Sequence, residues 1–184
     1  MLFHRKYMKK NYSSFSTLHS PFSKGFTLIE LLLYVAIVTF VMTALVQFTW
    51  TIIINSAKNN TQQEVNSSAR LISERIKYEI RNATGITSIS ASTITLTTAI
   101  PATSPTIINY SAGNISIKQG TGAVINLNSN NTTIPSFVFT NYSSADNKSE
   151  HIGFLFTINA NFNSTRQEYQ ESVIVESSAE VRNN

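Results

Sequence analysis

Three patterns of apolar and polar positions succeed one another along the chain. Residues 1–25, MLFHRKYMKKNYSSFSTLHSPFSKG, are polar and basic with scattered aromatics. They lack the apolar h-region of roughly 7–15 residues that marks an ordinary secretory signal peptide. Residues 26–54 are apolar almost without interruption, and their strongly polar members are Glu30 and Gln47. As a helix this run would measure about 43 Å at roughly 1.5 Å per residue, enough to cross a hydrocarbon core of about 30 Å. Lysines precede it and few charges follow, which predicts residues 1–25 on the cytoplasmic side and the remainder outside.

The next stretch, NSAKNNTQQEVNSSARLISERIKYEIRNATG, contains no proline, and its glycine is Gly85 at the end. Val65, Ala69, Ile72, Ile76, Ile80 and Ala83 recur at spacings of three and four, which predicts one apolar stripe on a helix. Arg70 with Glu74, and Arg75 with Glu79, form i,i+4 pairs expected on its solvated side. Gly85 is placed to end the helix as a C′ residue. No breaker separates this stretch from the apolar run. A single helix is therefore expected from about Phe26 to Thr84, loosened near Asn59 and Asn60.

After Gly85 the period shortens to two. ITSIS, TITLTT, TIINYS, NISIKQ, AVINLN, SFVFT, HIGFLFTINA and ESVIVESSAEV are short β-rich runs. Turn residues punctuate them, as in SAGN at 111–114 and QGTG at 119–122. The expected fold class is α+β: a long N-terminal helix whose second half packs on an antiparallel β meander. Phe137, Phe139, Phe154 and Phe156 alternate and are assigned to the core of adjacent strands. Tyr110, Tyr142 and Tyr169 are assigned to surface contacts. NYSSADNKSE (141–150) is the longest polar insertion.

Charge and composition sharpen this picture. The 184-residue chain has a formal net charge of +4. Arg5, Lys6, Lys9, Lys10 and Lys24 account for more than that excess, and the chain after Lys24 carries nine basic and ten acidic residues. The basic balance thus belongs to the first segment, and a nucleic-acid-binding body loses its main support. There is no cysteine, which removes disulfides, thiolate metal sites and a cysteine nucleophile. No phosphate-binding glycine loop and no G-x-S-x-G elbow occurs, so catalysis has little to rest on. His151 beside Glu150 falls short of the three or four protein ligands of a zinc site and reads as a strand-edge histidine. His4 and His19 fall in the first segment. Asn82, Asn114 and Asn163 head N-x-[ST] triplets and are taken as turn chemistry. No cofactor is expected.

Glu30 poses the sharpest question. A carboxylate in a membrane helix is costly, about 2.5–3.5 kcal/mol near the centre and less towards the border. No Lys, Arg or His lies between residues 26 and 57 to pair with it. The charge must be met by another chain, by lipid, or by an amine made when the chain is cut. A cut after Gly25 would place an α-amino group on Phe26, four residues from Glu30. A carboxylate–ammonium pair between helices fixes their axial stagger, which is the best-attested use of a buried polar group.

The run Gly25-Phe26-Thr27-Leu28-Ile29-Glu30, after a basic leader and before an apolar stretch, resembles the class III signal of type IV prepilins and type II secretion pseudopilins. The resemblance implies a pilin-like fold, cleavage after Gly25 by a prepilin peptidase and N-methylation of Phe26. It implies assembly through Phe26, Thr27, Leu28, Ile29 and Glu30. Leu31, Leu32, Leu33, Val35, Ile37 and Val38 would supply the packing. The domain plan is a removed leader (1–25), a transmembrane and assembly segment (26–54), a soluble helical segment (55–85) and a β-rich head (86–184). The partners implied are other pilin or pseudopilin subunits, the peptidase, an inner-membrane assembly platform and the cytoplasmic membrane. The location implied is single-pass in the inner membrane, then a cell-surface or periplasmic filament.

SARLISERIKYEIRNATGI and the closing AEVRNN are most similar to minor pilins and J- or W-type pseudopilins. Gln47 stands where a major pilin has a helix-kinking proline. The C-terminal cysteine pair is missing, and the acids of a calcium site reduce to Asp146 and Glu150. These departures favour a minor subunit of a pilus-like filament. The alternatives are a pseudopilin of a type II secretion system and a pilus-tip subunit for adhesion or DNA uptake. For DNA, Lys118, Lys148 and Arg166 are the candidate contacts in the β part, and their scatter disfavours a nucleic-acid partner.

Overall fold

The computed structural model describes residues 25–144 and 149–182. The expectations on residues 1–24, including His4 and His19, and on Asp146 and Lys148 lie outside these. Two compact units divide between Leu45 and Val46.

Helix α1 runs continuously from Leu28 to Arg81, with no break at Asn59 or Asn60. Its first half is long and apolar enough to cross a membrane, and none of that window is buried. The hydroxyls of Thr39 and Thr43 donate to the carbonyls of Val35 and Thr39, at 2.7 and 2.9 Å. Thr51 does the same to Gln47 at 3.0 Å. Hydroxyls satisfied inside their own helix suit an environment without water.

The second unit is built on the stripe expected from the sequence. Val65, Ala69, Ile72, Ile76 and Ile80 are buried. The helix stops at Arg81, earlier than expected, and β1 begins at Ala83. Ala83 is buried as expected, but as the first strand residue rather than the last helical one. Gly85 is therefore not a helix stop. It lies inside β1 (Ala83–Ile89), next to a bulge at Thr84, whose hydroxyl donates to Thr97 O at 3.1 Å.

The eight expected strands are all present. They are β1, β2 (Thr93–Thr98), β3 (Thr106–Ser111), β4 (Asn114–Gln119), β5 (Ile125–Asn126), β6 (Thr132–Asn141), β7 (His151–Ala160) and β8 (Ser172–Glu180). Every pairing is antiparallel between consecutive strands. The meander is nevertheless broken into a five-stranded sheet, β1 to β5, and a three-stranded sheet, β6 to β8.

The break has an identifiable polar cause. Asn128, after β5, is buried. Its Oδ1 accepts the Ile115 N–H at 3.1 Å, and its Nδ2 donates to Asn114 Oδ1 at 2.9 Å and Thr132 O at 3.1 Å. These bonds turn the chain away after two residues of β5. Strand β6 then meets the hairpin tips of the first sheet: Ile134 N–H donates to Gly113 O and Phe139 N–H to Ala91 O. The β3–β4 tip is a two-residue turn with φ +50° at Ala112 and +79° at Gly113, the geometry of a type I′ hairpin. A side chain at Gly113 would also strike Thr133.

Both sheets and the helix contribute to one apolar core. Phe137 pairs with Phe156 and Phe139 with Phe154, all four inside, as the alternation predicts. Tyr110 departs from expectation. It stacks on Phe137 at 5.8 Å and donates its hydroxyl to Ile134 O at 3.0 Å, so it is half-buried against the core with a satisfied polar tip. Tyr142 is exposed, with its ring over Gly153. Tyr169 is half-buried against Phe162.

The helix charges also differ from expectation. Arg75 does pair with Glu79, at 2.7 Å, but Glu79 is only 3% exposed. Its two oxygens each accept from Gln119 Nε2 at 3.1 Å, tying the helix to the end of β4. Glu74 pairs with Lys77 instead of Arg70.

Ile76→Ala should lower the unfolding free energy of the full chain in detergent by about 2–5 kcal/mol, the range for a truncated buried isoleucine. Glu79→Ala, which orphans Gln119 and Arg75, should cost about 2 kcal/mol. Denaturant unfolding reads both; wild-type midpoints would show that the stripe and its clasp do not carry the fold.

Candidate functional site

The sequence-derived site residues gather at the start of α1. Thr27 precedes the first helical residue and caps it: its Oγ1 accepts the Glu30 N–H at 3.3 Å, and its carbonyl accepts the Leu31 N–H at 3.1 Å. The Thr-x-x-Glu spacing is that of a capping box, so the sequence itself carries the signal for this helix start. Glu30 sits in the first turn, where the helix dipole favours a negative charge.

Among the described residues no cation reaches Glu30. Its neighbour is Tyr34, whose hydroxyl lies 3.5 Å from Oε1, too long for a strong O–H···O bond. The Phe26 ring meets Tyr34 edge-on at 5.9 Å. Phe26, Leu28 and Ile29 are largely exposed. Among the described residues a Cβ on Gly25 would meet nothing within 4 Å, so their packing does not demand a glycine there.

The other candidates do not form a site. His151 is the first residue of β7, at the end of the central strand of its sheet, and its ring tilts against Tyr142 at 6.2 Å. No group of three or more His, Asp or Glu side chains able to hold a metal ion occurs among the described residues. Arg166 is engaged by Glu168 and lies over the Tyr169 ring, and Lys118 is exposed on β4. Asn163 has φ +52°, in keeping with turn chemistry at its triplet.

A basic cluster does exist, but elsewhere. Arg70, Arg75, Arg81 and Arg182 line one groove of about 1110 Å³ between α1 and the β4–β5 edge. Leu71 and Tyr78 form its helical wall and Ile125 its opposite wall. Ile125 pairs with Ile117 on the core-facing side, yet Ile125 is 62% exposed and Ile117 only 3%. The core thus ends at β4, and β5 continues past it. Glu74 lies in the groove. The hydrogen bond from Lys77 holds its carboxyl below the usual carboxylate range, partly offset by desolvation, and Arg70 and Arg81 add to the lowering. Arg182 is far from the helical arginines in sequence, which is why the cluster escapes a linear reading.

Comparison with known proteins adds one match. Residues 22–46 match the family model described as the prokaryotic N-terminal methylation motif. Among curated proteins and solved structures, no significant similarity to the chain is found. The matched segment spans Gly25, Thr27 and Glu30 and the apolar start of α1. The chain therefore carries the N-terminal methylation motif typical of type IV prepilins and pseudopilins, a family of structural rather than enzymatic proteins.

Proposed function

We propose that the protein is a structural subunit, of the minor kind, in a type IV pilus-like filament. On this reading a prepilin peptidase cuts after Gly25 and methylates the new amino group of Phe26. The subunit waits in the inner membrane with its head outside, and then joins the filament through residues 26–54. The observation that carries the reading is Glu30: a carboxylate in the first turn of an apolar helix, within the methylation motif, with no cation beside it among the described residues.

The chemistry of the cut supplies the missing partner. A new ammonium on Phe26 of one subunit meets Glu30 of a neighbour, and the pair sets the axial stagger of the bundle. Thr27 caps that end of the helix, and the exposed Phe26, Leu28 and Ile29 offer apolar surface for assembly with neighbouring helices. The open surroundings of Gly25 support recognition by the peptidase, rather than packing, as the reason for a glycine. The absence of a proline at Gln47 and of any cysteine supports a minor subunit over the main shaft protein. A pseudopilin in a secretion piston would use the same N-terminal chemistry; pili lost on gene deletion, with protein secretion unchanged, identify the pilus.

Intact mass and N-terminal sequencing of protein from native membranes test the processing step. A start at Phe26 with one added methyl group is expected; a start at Met1 in cells with an active peptidase rejects it. Glu30→Ala should still insert in the membrane but assemble poorly, and wild-type filament yield would sink the pairing. Tyr34→Phe removes only the long contact and should leave filament yield close to wild type.

A further inference from the structure

Basic charge is in excess in the groove of the second unit. It carries Arg70, Arg75, Arg81 and Arg182 around one acid, Glu74, which feels Arg70 and Arg81; Arg70, Arg81 and Arg182 make no salt bridge among the described residues. The β8 hairpin side carries Glu171, Glu176 and Glu180. Among the described residues strand β8 pairs only with β7, so it is an edge strand there. Its outward positions alternate Ile174, Glu176, Ser178 and Glu180. Ile174 is 71% exposed. Beside it, on the same outer face, Leu155 lies opposite both Val138 and Glu176, and both apolar residues are exposed. The molecule therefore presents an acidic, apolar-tipped strand and a separate basic, apolar-walled groove.

We propose that β8 of one copy docks in the arginine groove of the next, with Ile174 against Leu71, Tyr78 and Ile125, and Glu176 against Arg70 and Arg81. The opposite charges steer and register the contact, and the apolar residues supply the burial. An occupant in the groove would cover the Ile125 face that the helix leaves bare. The two surfaces differ, so the contact is heterologous: it does not close on itself as a two-fold dimer does, and it can propagate. This rests on the filament reading but not on its minor-subunit part: it requires at least two adjacent copies, so a ladder would mean a subunit that repeats along the filament.

The native chain has no cysteine, so introduced thiols report cleanly. Full-length protein carrying both Leu71→Cys and Ile174→Cys is oxidised in native membranes and in isolated filaments. A ladder of disulfide-linked dimers and higher species is expected. Either single variant alone should give none, and the two co-produced should give dimers only. Adding Arg70→Glu and Arg81→Glu should cut cross-linking about tenfold, and Glu176→Arg should recover part of it. N-terminal mass and filament yield are read on the same samples. Processed, assembled protein without a ladder overturns the contact and leaves the filament reading standing. Cross-links from the Leu71→Cys variant to a different protein, or from either single variant to itself, overturn it as well. If processing fails, oxidation of the purified chain in detergent decides the contact separately: a ladder upholds it, and none overturns it.

Discussion

Burial of one helical stripe holds the second unit together. Ile72, Ile76 and Ile80 have no exposed surface, and a buried isoleucine contributes about 1.5–3 kcal/mol. Among the described residues neither sheet has a second α-helix to cover its inner face, so each depends on the same few side chains of α1. Polar clasps then fix the position along the helix: Gln62 to Glu171, Glu64 to Ser129, and Glu79 to Gln119. They are spread along the helix and reach both sheets. Apolar burial is tolerant of small slips; hydrogen bonds of defined length are not. The stripe therefore supplies the stabilisation, and the clasps supply the register.

The same division of labour appears where the sheets meet. An uninterrupted eight-stranded meander would outrun what a single helix can cover. Asn128 uses its donors and acceptor to end the first sheet, and the hairpin tips at Ala91 and Gly113 then satisfy N–H groups of β6. A five-stranded sheet and a three-stranded sheet share the helix. The cost is that β5 extends beyond the cover, which leaves Ile125 in the open groove.

Local periodicity made much of this legible. The three-and-four spacing of residues 65–80 and the alternation of Phe137, Phe139, Phe154 and Phe156 depend on neighbours in sequence, and both placed the core correctly. What escaped depends on distant neighbours. Glu79 looks like any solvated helix acid until Gln119 closes over it. Asn128 looks like one more turn residue among many. Gly85 looks like a helix stop, but the pull of Ala83 into the core ends the helix first. Arg182 joins Arg81 only through the fold. At the N-terminus the reverse holds, because Thr27 and Glu30 are three residues apart and their local chemistry is complete in the sequence.

The hydroxyls of Thr39, Thr43 and Thr51 bear on how the apolar segment changes surroundings. Each is already satisfied by a carbonyl of its own helix. Moving this surface from lipid to a bundle of similar helices breaks none of these bonds, and lipid tails and leucine side chains are comparably apolar. The segment is thus close to indifferent between the two solvents. On the proposed filament reading, exchange between them costs little for these hydroxyls, and the charged group that is not indifferent is the Glu30 carboxylate.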